Sequence, residues 1–159
     1  MIVLGIDPSL SSTGFALVQF HKNQYFSLNL GEIKTKTTQK LSERLAIIFQ
    51  KVVELIKEYA PDEVAVEEVF YAANPKIALL MGHARGAALV AAAKDNLPVS
   101  EYSPREIKMA VTGYGNASKE QVKKMVCTQI HLESDSFGYD ISDALAVVIC
   151  HCHRSNRKN

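Results

Sequence analysis

The sequence predicts an α/β fold on a mixed five-stranded sheet, three antiparallel strands followed by two helix-crossed strands, with helices on both faces. Two observations carry this expectation. Residues 1–35 hold three strand-like segments separated by short polar turns, and connections that short join antiparallel neighbours. Beyond residue 40, segments of helical period alternate with short apolar runs, the pattern of strands reached through helical crossovers.

Taken in order, Ile2 to Ile6 is a strongly apolar run ending in Asp7 and Pro8, as a buried strand ends at a sheet edge. After a turn over Ser9 to Gly14, Phe15 to Phe20 reads as a second strand and Tyr25 to Thr35 as a third. Leu41, Leu45, Ile48, Phe49, Val52, Leu55, Ile56 and Tyr59 recur with helical period until Pro61 and Asp62 stop them. Val64 to Phe70 is the fourth strand. Asn74 as N-cap and Pro75 at the first helical position open a helix to about Asp95. Leu97 to Tyr102 is the fifth strand. Ser103 with Glu106, then Ser118 with Gln121, have capping-box spacing and start two more helices. Between them, Gly113, Gly115 and Asn116 mark a mobile turn. Asp140 opens a last helix through about His153, and residues 154–159 form a basic tail expected to be disordered.

At 159 residues the chain suits one domain, over 1–153, large enough to bury a core without disulfides or a structural metal. Its 47% hydrophobic and 22% charged residues exclude a disordered or low-complexity chain. Apolar stretches such as Gly86 to Ala93 are shorter than a bilayer span, and Met1 leads directly into a strand, so a cytoplasmic protein with no membrane partner is expected. Cys127, Cys150 and Cys152 are odd in number and expected to stay reduced. The net charge of +1 excludes a surface that attracts nucleic acid everywhere, yet the charge is segregated. Residues 1–70 sum to −2, 71–130 to +4, 131–153 to −4 and 154–159 to +3. Such a pattern suits a metal site beside a phosphate track.

Four carboxylates are the candidates for chemistry. Asp7 and Glu67 fall near the carboxyl ends of strands, where α/β sheets gather ligands. Asp140 and Asp143, spaced i, i+3, project from one face of a first helical turn. Oxygen donors with room for phosphate suit Mg²⁺ better than imidazole or thiolate ligands do. Helix capping by Asp140 and a helix-dipole role for Asp143 are the structural alternatives. Glu67 and Glu68 point to opposite faces of one strand, and periodicity does not choose between them.

Gly5-Ile6-Asp7-Pro8-Ser9, Val66-Glu67-Glu68-Val69-Phe70, Gly82-His83-Ala84-Arg85-Gly86 and Asp140-Ile141-Ser142-Asp143-Ala144-Leu145-Ala146 together resemble the RuvC family of Holliday-junction resolvases. The likeness spans nearly the whole chain in motif order and spacing. It implies an RNase H-like fold and a homodimer that nicks opposing strands of a four-way DNA junction with Mg²⁺ or Mn²⁺, one or two ions per subunit, alongside a branch-migration motor in recombinational repair. It also implies Asp7, Glu67, Asp140 and Asp143 as catalytic metal ligands, and so selects Glu67 over Glu68. The Asp140 position is His in some relatives. Phe70 matches the family's junction-facing aromatic, and Lys108 and Lys119 its phosphate-contacting lysines.

The residues themselves add to this reading. A loop position for Phe70 would let it stack on an unpaired base, the alternative being a core or interface aromatic. Lys108, Lys119, Lys123 and Lys124 flank the glycine-bearing turn beside helix starts, which suits phosphate, although such lysines also mark a solvated face. The Pro75 helix carries Gly82 and Gly86 among alanines and few charges, so either a two-fold dimer contact or close packing on the sheet would use its small residues. The Cys150-His151-Cys152-His153 run is not read as a zinc site, because neighbours on one helix point about 100° apart. His83 and His131 have no ligand-spaced partners. Two rival functions remain: a nucleotide-binding module, suggested by Gly5 to Gly14 but opposed by a length that allows only one lobe, and a protein that binds junctions without cutting.

Overall fold

The computed structural model describes residues 1–69, 74–133 and 136–155. β1 (Ile2–Asp7), β2 (Ser12–His21) and β3 (Gln24–Lys34) form an antiparallel meander. Lys22 and Asn23, both at positive φ (48° and 62°), close the β2–β3 hairpin as a two-residue turn of this kind requires. β4 (Glu63–Glu67) and β5 (Val99–Tyr102) add in parallel on the far side of β1, giving the order β3-β2-β1-β4-β5. The RNase H-like mixed sheet expected from the sequence is present.

Among the described residues, five α-helices cover the two faces. α1 (Leu41–Tyr59) and α2 (Pro75–Lys94) pack on the side presented by Leu4, Ile6, Leu17, Val64 and Val66. α3 (Pro104–Thr112), α4 (Lys119–Ile130) and α5 (Tyr139–Ser155) cover the other, with Val3, Ala16, Val18 and Ala65 beneath them. The period-2 alternation of each strand thus feeds two separate cores. Ser103 and Ser118 cap α3 and α4 as their spacing predicts, each accepting from the N3 amide while Glu106 or Gln121 reaches back. Asn74 accepts from the Lys76 amide at the start of α2. An Arg85–Glu101 ion pair ties α2 to β5.

α5 runs across the sheet, and Ala144 to Cys152 are buried along it. Two strand glycines allow its close approach. A Cβ on Gly5 would sit 2.5 Å from Val148 Cγ2 and 2.6 Å from the Ala144 carbonyl oxygen, and one on Gly14 would overlap the Asp140 carbonyl.

Several boundaries differ from expectation. β2 begins at Ser12 because Gly14 pairs with Asp7 in the β1 register, which shortens the expected Ser9 to Gly14 turn. β4 stops at Glu67 and does not reach Phe70, which lies outside the described residues. α5 continues to Ser155, so Arg154, assigned to the tail, is helical and donates to Glu106 Oε1 at 2.6 Å. Residues 156–159 of that tail lie outside the described residues. The turn after α3 is hydrogen-bonded: the Tyr114 amide donates to Thr112 Oγ1 at 3.1 Å and the Ala117 amide to the Tyr114 carbonyl at 3.1 Å. Glycine and asparagine signal such a turn, but the bonds that fix it are not visible in composition.

Candidate active site

The β1–β4 register pairs Ile6 with Val66, so Asp7 and Glu67 stand side by side at the carboxyl ends of adjacent strands. Gly5 and Ala65, two residues back, face α5, and alternation turns Asp7 and Glu67 the same way. Glu68 falls beyond the strand end. The Gly14 contact brings the first turn of α5 over the same strand ends, and with it Asp140 and Asp143. The four carboxylates line one cleft of about 380 Å³, shared with Ser9, Met81, Pro104, Ile107, Lys108, Lys119, Val122 and Ala146.

Charge in this cleft is unbalanced. Burial, and then the Asp143 carboxylate, push Asp7 up to about 7 against the opposing pull of Lys119. Burial, and then Asp7, push Glu67 up to about 8. The two side chains are hydrogen-bonded to each other, so a proton is retained between them where water-exposed carboxylates would have lost it. Lys119 Nζ donates to Asp143 Oδ2 at 2.8 Å, and Asp143 in turn holds the ammonium well charged. Asp140 also raises Asp7, and it lines the cleft with the other three carboxylates.

Among the described residues, no three Asp, Glu, His or Cys groups already converge on one coordination point. The donor set is nonetheless all oxygen and short of positive charge, which fits a hard divalent cation.

The structure separates the candidate lysines. Lys108 and Lys119 line the carboxylate cleft. Lys123 turns inward: its ammonium donates to the Phe137 carbonyl at 2.6 Å and lies 5.4 Å from the ring centroids of Phe137 and Tyr139. Lys124 lines a separate groove. Gly82 and Gly86 face outward, into an apolar groove with Leu45, Ala46, Phe49, His83, Ala87 and Val90. A Cβ at either glycine would meet no atom of the described residues within 4 Å, so packing on the sheet does not explain them. Burial raises the thiols of Cys150 and Cys152 to about 11 and about 12, and His151 is bonded to Tyr102 and Glu63. Sequence reasoning missed Met81 and Ser9 in the cleft. α2 shows no single apolar face from which the reach of Met81 could have been read.

The family model described as crossover junction endodeoxyribonuclease RuvC matches residues 3–151. A protein of that name from Alkaliphilus oremlandii is 44% identical over 98% of this chain and 95% of its own length. Another from Geobacter metallireducens is 45% identical over 100% of this chain and 96% of its own. Thermus thermophilus RuvC, solved in complex with a Holliday junction substrate, superposes with a TM-score of 0.93 at 33% identity, covering 99% of this chain and 96% of that one. The yeast mitochondrial Holliday junction resolvase shares the fold, with a TM-score of 0.65 at 13% identity over 98% of this chain and 84% of its own.

Proposed function

The chain belongs to the RuvC family of crossover junction endodeoxyribonucleases, and from that membership we propose that it resolves four-way DNA junctions by hydrolysing phosphodiesters on opposing strands during recombination and repair. The observation that carries the reading is the cleft itself, where Asp7 and Glu67 stand side by side at adjacent strand ends with Asp140 and Asp143, and Lys108 and Lys119 line the same wall. A non-cutting junction binder would have no use for that charge excess. The relatives named for junction cleavage are matched over 95% and 96% of their own length, which favours the nuclease over the nucleotide-binding alternative.

Family members are metal-dependent nucleases. Asp7, Glu67 and Asp143 are assigned here as catalytic metal ligands, with Asp140 as the fourth, for one or two Mg²⁺ ions that Mn²⁺ can replace. Bound there, such ions supply water activation at neutral pH and offset charge on the phosphoryl oxygens. The protein's own part begins when Asp7 and Glu67 release their shared proton, which turns both into donors. Lys119 then has a choice of anion, Asp143 or the DNA phosphate, and Lys108 lines the same cleft from α3. With no His among the cleft's lining residues, the hydrolytic step is assigned no general base of its own.

The outward face of α2 supports a homodimer. By length and composition α2 could also cross a bilayer, but it is packed on α1 through Ala84, Ala88, Ala91 and Ala92. Its exposed side, with Leu79 63% and Val90 60% accessible beside the two glycines, is assigned to a second copy, which would give two active sites for paired nicking. Phe70 as a junction-facing aromatic, partnership with a branch-migration motor, and a cytoplasmic location with the DNA follow from the family alone.

The test is incubation of a radiolabelled four-way junction with the protein and Mg²⁺, alongside Asp7→Asn. The expected result is paired symmetric nicks, reduced roughly 10²- to 10³-fold by the substitution, the scale for loss of one stabiliser of transition-state charge. Junction binding in Ca²⁺ should survive. Equal cleavage by both proteins would overturn the role of Asp7, and no cleavage by the native protein would overturn the function.

A further inference from the structure

We propose that Glu32 is a positioning residue for Asp140: it pins the Lys34 ammonium to β3 and so keeps that ammonium from pairing with Asp140 in competition with a divalent cation. This rests on the assignment of Asp140 to the metal site.

Three observations converge on the pair. First, register puts it beside Asp140. Glu32 is the cross-strand partner of Gly14, and Lys34 that of Ser12. Cross-strand partners share a face of the sheet, and so do residues two apart on one strand. Gly14 is the residue whose Cβ would overlap the Asp140 carbonyl, so Glu32 and Lys34 emerge on the α5 face, next to the turn that carries Asp140. Second, the two side chains differ in freedom. Glu32 is tucked against the start of α5, its side chain 22% exposed and its Oε1 3.4 Å from where a Cβ on Gly138 would lie. The Lys34 side chain is 73% exposed and is tied at its tip, with Nζ 2.7 Å from Glu32 Oε2. The hydrogen bond and charge of Glu32 hold the ammonium above its ordinary range, and Asp140 adds to the effect. Lys34 therefore feels two carboxylates and is paired with one. Third, the Asp140 carboxylate has no hydrogen bond or ion pair among the described residues, whereas Asp143, one turn along the same helix, is paired with Lys119 at 2.8 Å. An exposed ion pair contributes little to stability, so the fold alone gives the Glu32–Lys34 pair small reason to exist. Freed from Glu32, the ammonium would turn to Asp140, the second anion that acts on it, and a metal ion would have to displace it.

The experiment measures Mn²⁺ affinity of the DNA-free protein by electron paramagnetic resonance, and the Mg²⁺ dependence of junction cleavage. The proteins compared are the native chain, Glu32→Gln, Glu32→Gln combined with Lys34→Met, and Glu32→Gln in an Asp140→Asn background. Glu32→Gln should weaken Mn²⁺ binding about tenfold, the lower end for loss of a residue that supports a metal ligand. The Mg²⁺ concentration for half-maximal cleavage should rise alike, a competition that saturating Mg²⁺ overcomes. Removing the ammonium as well, with Lys34→Met, should restore the affinity. In the Asp140→Asn background Lys34 has no carboxylate to capture, and Glu32→Gln should weaken binding no further. Native-like Mn²⁺ affinity in Glu32→Gln would overturn the proposal. So would an equal loss in the Asp140→Asn background, the mark of a general loss of negative charge, or no recovery in the double variant, the mark of a structural role at the start of α5. Failure of the native protein to bind Mn²⁺ would instead overturn the metal site on which the proposal rests.

Discussion

The two ends of α5 carry polar clusters of opposite character. At the C-terminal end His151 is 1% exposed, its Nδ1 2.9 Å from the Tyr102 hydroxyl and its Nε2 3.0 Å from Glu63 Oε2. A neutral ring satisfies both partners: Nε2–H donates to the carboxylate, and Nδ1 accepts from the phenol. At the N-terminal end Asp7, Glu67 and Asp143 confront one another, and one lysine and a retained proton do not balance them. The same helix thus ends in a closed network and an open one. Buried polar groups whose partners are complete hold a fold together, whereas an uncompensated set is kept for something that arrives later.

Gly14→Ala is the change that breaks the contrast most strongly. The new methyl group overlaps the Asp140 carbonyl, so the first turn of α5 must lift away from β2 and take Asp140 and Asp143 with it. Overpacking of this kind costs about 1–3 kcal/mol. Displacement of a ligand-bearing turn by about 1 Å is expected to lower junction cleavage about 100-fold. Thermal unfolding and single-turnover cleavage measure the two effects. Native cleavage in this variant would show that the open cluster does not depend on how closely α5 sits.

The other end responds in stability alone. His151→Ala leaves the Tyr102 hydroxyl and Glu63 without their shared partner and should cost about 1–3 kcal/mol. Cleavage at a temperature where the variant is folded is expected to stay within about threefold of native, because eight residues of α5, about 12 Å of rise, separate His151 from Asp143. A loss of cleavage as large as that of Gly14→Ala would mean that the two ends are coupled.

The open end was more legible in the sequence than the closed one. Asp7 and Glu67 lay at the ends of apolar runs, where a charge demands a reason, and Asp140 with Asp143 had helix-face spacing. The choice of Glu67 over Glu68 needed to know which face α5 covers, and that is set by contacts such as Gly5 on Val148 between residues far apart in the chain. A glycine inside a strand signals a close approach but not its partner, so the role of Gly14 was hidden. His151 sat in a Cys-His run whose only legible message was that zinc did not fit. Its partners Glu63 and Tyr102 come from β4 and β5 and meet it only after the sheet is assembled. Among the four lysines, a single step of about 100° around α4 decides between the inward Lys123 and the outward Lys124, and composition treats them alike.

The gentlest test reads the open cluster's missing charge through stability. Asp7 and Glu67 move from ordinary values of 3.8 and 4.5 up to about 7 and about 8 on folding. Between about pH 4 and pH 8 the folded protein therefore holds protons that the unfolded chain has released, and the contribution of these groups to stability falls as pH rises through that window. Asp7→Asn removes one of the opposed charges, so without divalent metal the variant should unfold a few degrees above the native protein at pH 8, where about 1 kcal/mol corresponds to 2–4 °C. The two should converge toward pH 4. Mg²⁺ should close the gap at pH 8 by raising the native midpoint more than that of the variant, since a cation bound only to the folded state stabilises it by mass action. The comparison cancels groups that titrate alike in both proteins, such as Glu106 and Glu120. Identical pH profiles for native and variant, or a Mg²⁺ shift of equal size in both, would mean that the carboxylates at this end are as fully compensated as His151 is at the other.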